Sequence, residues 1–106
     1  MELIKIKRLA NKYDGLIKTH ADLEDALGGF SYKMQTMYLN TAQIRSISNI
    51  ETCKEYYDPH RVLGKYFRVH CVDGTVYHFP ESEFSKFEKY IINEWWYKII
   101  IAYLSR

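Results

Sequence analysis

The stretch Lys65-Tyr66-Phe67-Arg68-Val69-His70-Cys71-Val72-Asp73-Gly74-Thr75-Val76-Tyr77-His78-Phe79 is two alternating runs joined at Asp-Gly, the pattern of a β-hairpin. Its register decides which side chains act together, because a one-residue slip moves every side chain to the other face. A two-residue turn would put Phe67, Val69, Cys71, Val76 and His78 on one face. A three-residue loop closed by a glycine bulge puts Phe67, Val69, Cys71, Tyr77 and Phe79 there and sends Arg68, His70, Val76 and His78 to the other. The second register is preferred, since it gathers five apolar side chains without an imidazole.

Downstream, Pro80-Glu81-Ser82-Glu83 ends the strand and starts a helix, with Ser82 as the cap and acids where the backbone dipole favours them. Phe84, Phe87, Ile91, Trp95, Ile99 and Ala102 recur at helical spacing and predict a long C-terminal helix laid on the sheet. A second apolar row, Ile92, Trp96, Ile100 and Tyr103, is either buried within the chain or turned toward something else, such as another copy. The β-branched run Ile99-Ile100-Ile101 leaves both helix and strand open for the last residues.

Upstream, Glu51 to Gly64 reads as an exposed loop around Tyr56-Tyr57-Asp58-Pro59-His60-Arg61, where Asp-Pro biases the chain toward a turn. Thr36 to Asn40 and Ile44 to Ile50 flank a polar break and read as a bent strand or two strands in series. The alternation from Leu3 to Lys7 predicts a first strand, and Asn11 to Gly15 a turn. Thr19 to Gly29 reads as a short helix: Thr19 stands three places before Asp22, and glycines close it.

These elements predict an α+β fold in one domain over residues 1–106. Its parts are a small antiparallel β-sheet of three to five strands, a long C-terminal helix packed on one face, and a short helix inserted after the first strand, at the sheet edge. A length of 106 residues suits one core.

The 15 Lys and Arg against 13 Asp and Glu are spread evenly along the chain, which disfavours a nucleic-acid partner. A nucleic-acid-binding regulator using Lys5, Lys7 and Arg8 for phosphates and Tyr66 and Tyr77 for stacking is kept as an alternative. No run is long and apolar enough to span a membrane, and the opening residues lack the apolar core of a secretory signal, so the expected location is cytoplasmic.

Cys53 and Cys71 lack the spacing of a zinc site; Cys71 is expected in the core and Cys53 as a loop thiol. Arg68, His70 and His78 share the hairpin's second face, but two imidazoles without further ligands are more often solvent-facing strand residues than a metal site. No phosphate-binding glycine loop or nucleophile elbow occurs, so no catalytic residue and no cofactor is expected.

Aromatic residues make up 16% of the chain, and ten are tyrosines. Tyr, Trp and Arg dominate protein-binding hot spots, which singles out the loop residues Tyr56, Tyr57, His60 and Arg61, the hairpin residues Arg68, His70 and His78, and Trp96.

Leu39-Asn40-Thr41-Ala42-Gln43-Ile44-Arg45-Ser46-Ile47, Val69 to Val72, Asp73-Gly74-Thr75-Val76-Tyr77-His78-Phe79, and Glu81-Ser82 before a helix together resemble the small FlbD-type proteins named from flagellar operons. The resemblance covers about residues 38–92. It implies a short opening strand, an Asn-containing strand, a hairpin and a helix, a flagellar-accessory-like role, and no catalytic residues. The chain differs in the insertion from about Leu9 to Lys33, the Tyr-rich loop, Pro80 and the extension past Ile92.

The expected function is that of a non-catalytic protein-binding module that occupies a partner protein. An inhibitor of a host protein carried by a phage or mobile element, such as an anti-defence (anti-CRISPR-like) protein, has this character. Self-association through the second row of the C-terminal helix is a further expectation.

Overall fold

A computed structural model describes residues 2–88. The element order is β1 (Leu3–Leu9), α1 (His20–Leu27), β2 (Met34–Asn40), a 3₁₀ turn (Thr41–Gln43), β3 (Ile44–Ile47), β4 (Glu51–Lys54), β5 (Val62–Cys71), β6 (Val76–Pro80) and a 3₁₀ helix (Glu81–Phe87). The class is α+β with antiparallel sheets, as the sequence predicts.

The hairpin adopts the bulged register. Phe67 pairs with Phe79, Arg68 with His78, Val69 with Tyr77 and His70 with Val76. The Gly74 N–H donates to the Cys71 carbonyl at 3.0 Å, and the Cys71 N–H donates to the Thr75 carbonyl at 2.8 Å. Gly74 stands at φ +89°, where a side chain is penalised. The loop is therefore Val72-Asp73-Gly74, and the five apolar residues fall on one face.

Two features differ from the expected single sheet. The Asn40 side chain accepts the Ala42 N–H and starts the 3₁₀ turn, which separates the two predicted strands into different ladders. β2 pairs with β1, whereas β3 pairs with β5. The segment read as one loop from Glu51 also contains a strand: β4 pairs Glu51 with Tyr66 and Cys53 with Gly64, leaving a loop over Glu55 to Arg61. Cys53 is thus a buried strand residue rather than a loop thiol. Its short, charged sequence Glu-Thr-Cys-Lys carries little strand propensity, and the pairing comes from the length of β5. Ser48, in the connection between β3 and β4, is held against β5: its N–H donates to the Arg68 carbonyl and its hydroxyl accepts the Arg68 N–H.

Phe67, Val69, Cys71 and Phe79 bury against Ile6, Leu39 and Phe87 in the principal core. Leu9, Ile17, Leu23, Ala26, Leu27 and Cys53 form a second cluster, joined by Leu63 and Tyr66. α1 therefore covers part of the sheet's second face rather than sitting at its edge. Gly64 permits this approach, since a Cβ there would meet the Tyr32 hydroxyl at 2.5 Å and Leu27 Cδ2 at 3.3 Å.

α1 starts with the expected capping box. The Asp22 N–H donates to the Thr19 hydroxyl, and the Asp22 carboxylate accepts the N–H groups of Thr19 and Lys18. Those backbone donors, Lys18 first, hold the Asp22 carboxyl below its ordinary range.

After β6 the chain enters a 3₁₀ helix with Pro80 as its cap, and the Ser82 side chain does not cap it. Among the described residues this seven-residue 3₁₀ helix stands where an α-helix is expected. Residues three apart eclipse one another in a 3₁₀ helix, so Phe84 and Phe87 still share a face and both meet the Phe67 ring. The predicted helix beyond Glu88, its second apolar row, the choice between helix and strand at 99–104, and Trp96 lie outside the described residues.

Candidate interaction surface

Loop residues Glu55 to Arg61 are closed at the base and held from the side. The Glu55 N–H donates to the Arg61 carbonyl at 3.0 Å, and the Arg61 N–H to the Asp58 carbonyl at 2.9 Å. Arg61 Nη1 meets Glu55 Oε2 at 3.1 Å, and the His60 N–H reaches Asp58 Oδ1 at 3.3 Å. From α1, Glu24 Oε1 accepts the Tyr56 N–H at 2.6 Å. Glu24 also meets His20 Nε2 at 3.1 Å, and that nitrogen lies 3.0 Å from the Lys54 carbonyl oxygen.

On this braced backbone Tyr56 is 72% exposed and Tyr57 89% exposed. Their rings touch edge to face, with centroids 5.2 Å apart. Sequence reasoning missed Phe30, which is fully exposed just past the end of α1. It lines a hollow of 300 Å³ together with Gly28, Gly29 and Arg61. The signal was available, for Gly28-Gly29 stops the helix and delivers the next residue to an open turn.

Arg68, His70 and His78 do share one face of the hairpin, but that face is half-buried rather than open to solvent. Arg68 Nε and Nη2 grip Glu51 at 2.7 and 3.0 Å, a two-point ion pair. His78 stacks on Tyr66 with centroids 5.8 Å apart. A cleft of 230 Å³ runs between these residues and the start of α1, where Thr19, His20 and Leu23 form the opposite wall.

Burial first, and then the Arg68 guanidinium, push His78 down to about 4; Glu51 pulls the other way. The ring is neutral near pH 7, and its Nδ1 makes no hydrogen bond among the described residues. The cleft thus presents an already paired guanidinium beside a neutral imidazole. Burial also raises the thiols of Cys53 and Cys71, with Glu24 adding to the effect on Cys53 and Asp73 on Cys71. Such thiols are poor nucleophiles.

The predicted site residues therefore separate into two groups. Tyr56, Tyr57, His60 and Arg61 stand together on the loop. Arg68, His70 and His78 lie further along β5, Arg68 seven residues from Arg61, or about 20 Å of extended strand.

The basic residues of β1 gather differently from the expectation. Lys5 and Lys7 are exposed and pair with Tyr38 and Thr36 of β2. Tyr38 is 64% exposed, and neither strand contains an acid. Arg8 instead lies over the Tyr77 ring at 5.6 Å and bonds Gln35. Tyr66 and Tyr77 occupy opposite faces of the hairpin, so they form no common stacking platform.

Among the described residues no three His, Cys, Asp or Glu side chains converge as metal ligands, and no helix is long and apolar enough to cross a membrane. No protein-family model, curated protein or solved structure matches the chain.

Proposed function

We propose that the chain is a protein-binding module that works by occupying a partner protein through the Glu55 to Arg61 loop, with Phe30 beside it. The observation that carries this reading is the Tyr56–Tyr57 pair, two exposed aromatic rings on a loop held by backbone, ion-pair and helix contacts. Aromatic side chains and arginine supply most binding energy at protein interfaces. A loop ordered before binding loses less conformational entropy on association. Occupation needs no bond-making chemistry, and it is how an inhibitor of the expected kind acts.

The test is an affinity capture from the native host by the wild-type chain and by Tyr56→Ala/Tyr57→Ala, with the fold of both checked by circular dichroism. The partner should be retained by the wild type and lost with the variant, since truncating such an anchor costs about 2 kcal/mol or more. A partner held equally by both would overturn the assignment to the loop.

The exposed Lys5, Lys7 and Tyr38 favour a second reading, single-stranded nucleic acid on the β1–β2 face, with lysines on phosphates and the ring under a base. That reading requires an affinity for oligonucleotides that falls steeply with salt and is lost in Lys5→Gln/Lys7→Gln.

A further inference from the structure

β2 is an edge strand of an unusual kind. Its seven residues, Met34-Gln35-Thr36-Met37-Tyr38-Leu39-Asn40, pair with β1 in an unbroken register from Leu3–Asn40 to Leu9–Met34. Among the described residues no strand pairs with its other side. Edge strands are ordinarily protected from pairing by lysine, proline or a bulge. β2 has none of these, and it carries no charge at all. Thr36 and Tyr38 are exposed on its outer face, whereas Leu39 is buried on its inner face and Met37 half-buried.

We propose that β2 is a self-association edge: two copies of the chain pair β2 with β2 antiparallel about a two-fold axis at Met37, joining two β1–β2 ladders into one four-stranded sheet. A second copy fits this edge because two-fold symmetry sets the strand against itself. Charges near the axis would stand close to their own counterparts in the other copy, and the strand carries none. Centring on Met37 is the antiparallel register that engages all seven residues and keeps inner side chains beside inner ones. It places Thr36 opposite Tyr38 of the other copy, twice, a β-branched and aromatic pairing that stabilises sheets. Lys5 and Lys7 stay one strand away from the seam, where they do not oppose their counterparts.

Sedimentation velocity on the full chain tests this with two variants, Thr36→Lys/Tyr38→Lys and Thr36→Glu/Tyr38→Glu. Both positions are exposed in a single copy, so each variant should keep the wild-type circular dichroism spectrum. The wild type should be a dimer, and each variant alone a monomer, weakened by about a hundredfold or more because like charges meet twice across the axis. An equimolar mixture of the two should restore a dimer containing one copy of each, which misfolded variants would not do. A monomeric wild type overturns the proposal, whether its β2 amides exchange freely or are protected by a strand of the same chain. So does a dimer that survives both substitutions.

Discussion

Phe67 lies directly opposite Phe79 across the β5–β6 ladder, with ring centroids 5.5 Å apart, and both side chains are fully buried. The Phe87 ring closes on both, 5.5 Å from Phe67 and 5.4 Å from Phe79. The hairpin and the 3₁₀ helix after it are thereby joined through one aromatic cluster, to which β1 adds Ile6 and β2 adds Leu39.

Phe67→Ala should be among the most destabilising single substitutions in the chain. It removes a buried ring with three aromatic neighbours, and such truncations cost about 3–5 kcal/mol. Urea unfolding followed by circular dichroism measures the loss. A cost below about 1 kcal/mol would mean that the cluster does not hold β5 and β6 together.

Gly74→Ala should destabilise the hairpin through its backbone alone. A Cβ at this position meets nothing within 4 Å, so no steric clash contributes. The φ of +89° remains, and it costs an alanine about 1–2 kcal/mol. Gly74→Asn should fall between glycine and alanine, because asparagine tolerates positive φ better. Melting temperatures in the order glycine, asparagine, alanine would support the bulged loop; equal values would count against it.

Stability should fall as the solution is acidified from about pH 6.5 towards pH 4, in part because of His78. Above this window the ring is neutral in both the folded and unfolded chains and contributes no pH dependence. Within it the unfolded chain takes up the proton first, so acidification favours unfolding, by about 1–2 kcal/mol across the whole window once solvent screening of this half-buried ring is allowed for. His78→Phe should flatten that part of the profile, measured as urea midpoints at several pH values. Glu51→Gln should lower the His78 titration further, read by NMR of the imidazole, because Glu51 is the group that raises it.

Cys53 and Cys71 should resist a water-soluble disulfide reagent in the native protein and react in denaturant. Both are buried, and both titrate above the ordinary thiol range. Rapid labelling of Cys53 under native conditions would show that α1 does not stay on the β4–β5 face.

Local chemistry explains which features were legible along the chain. Asp73-Gly74 with apolar alternation on both sides specified the bulged register, because only one register gathered Phe67, Val69, Cys71, Tyr77 and Phe79. Thr19 and Asp22 specified the start of α1 for a similar reason, since a capping box is complete within four residues. Of the candidate site, Tyr56 and Tyr57 were found through Asp58-Pro59. The exposure of Phe30 is legible in the helix stop at Gly28-Gly29, but its place beside Arg61 depends on how α1 packs against the loop.

The amino-acid sequence by itself determined the class, the hairpin register, the capped helix and the aromatic loop, all set by interactions among residues close in the chain. Tertiary structure alone decided that β2 and β3 enter different ladders, that β4 forms along β5, and that α1 roofs the second face and leaves His78 half-buried and neutral. It also decided that Lys5 and Lys7 of β1 stand beside Tyr38 of the uncharged strand β2. Each of these depends on which distant partner a strand or side chain finds, and neither periodicity nor composition carries that information.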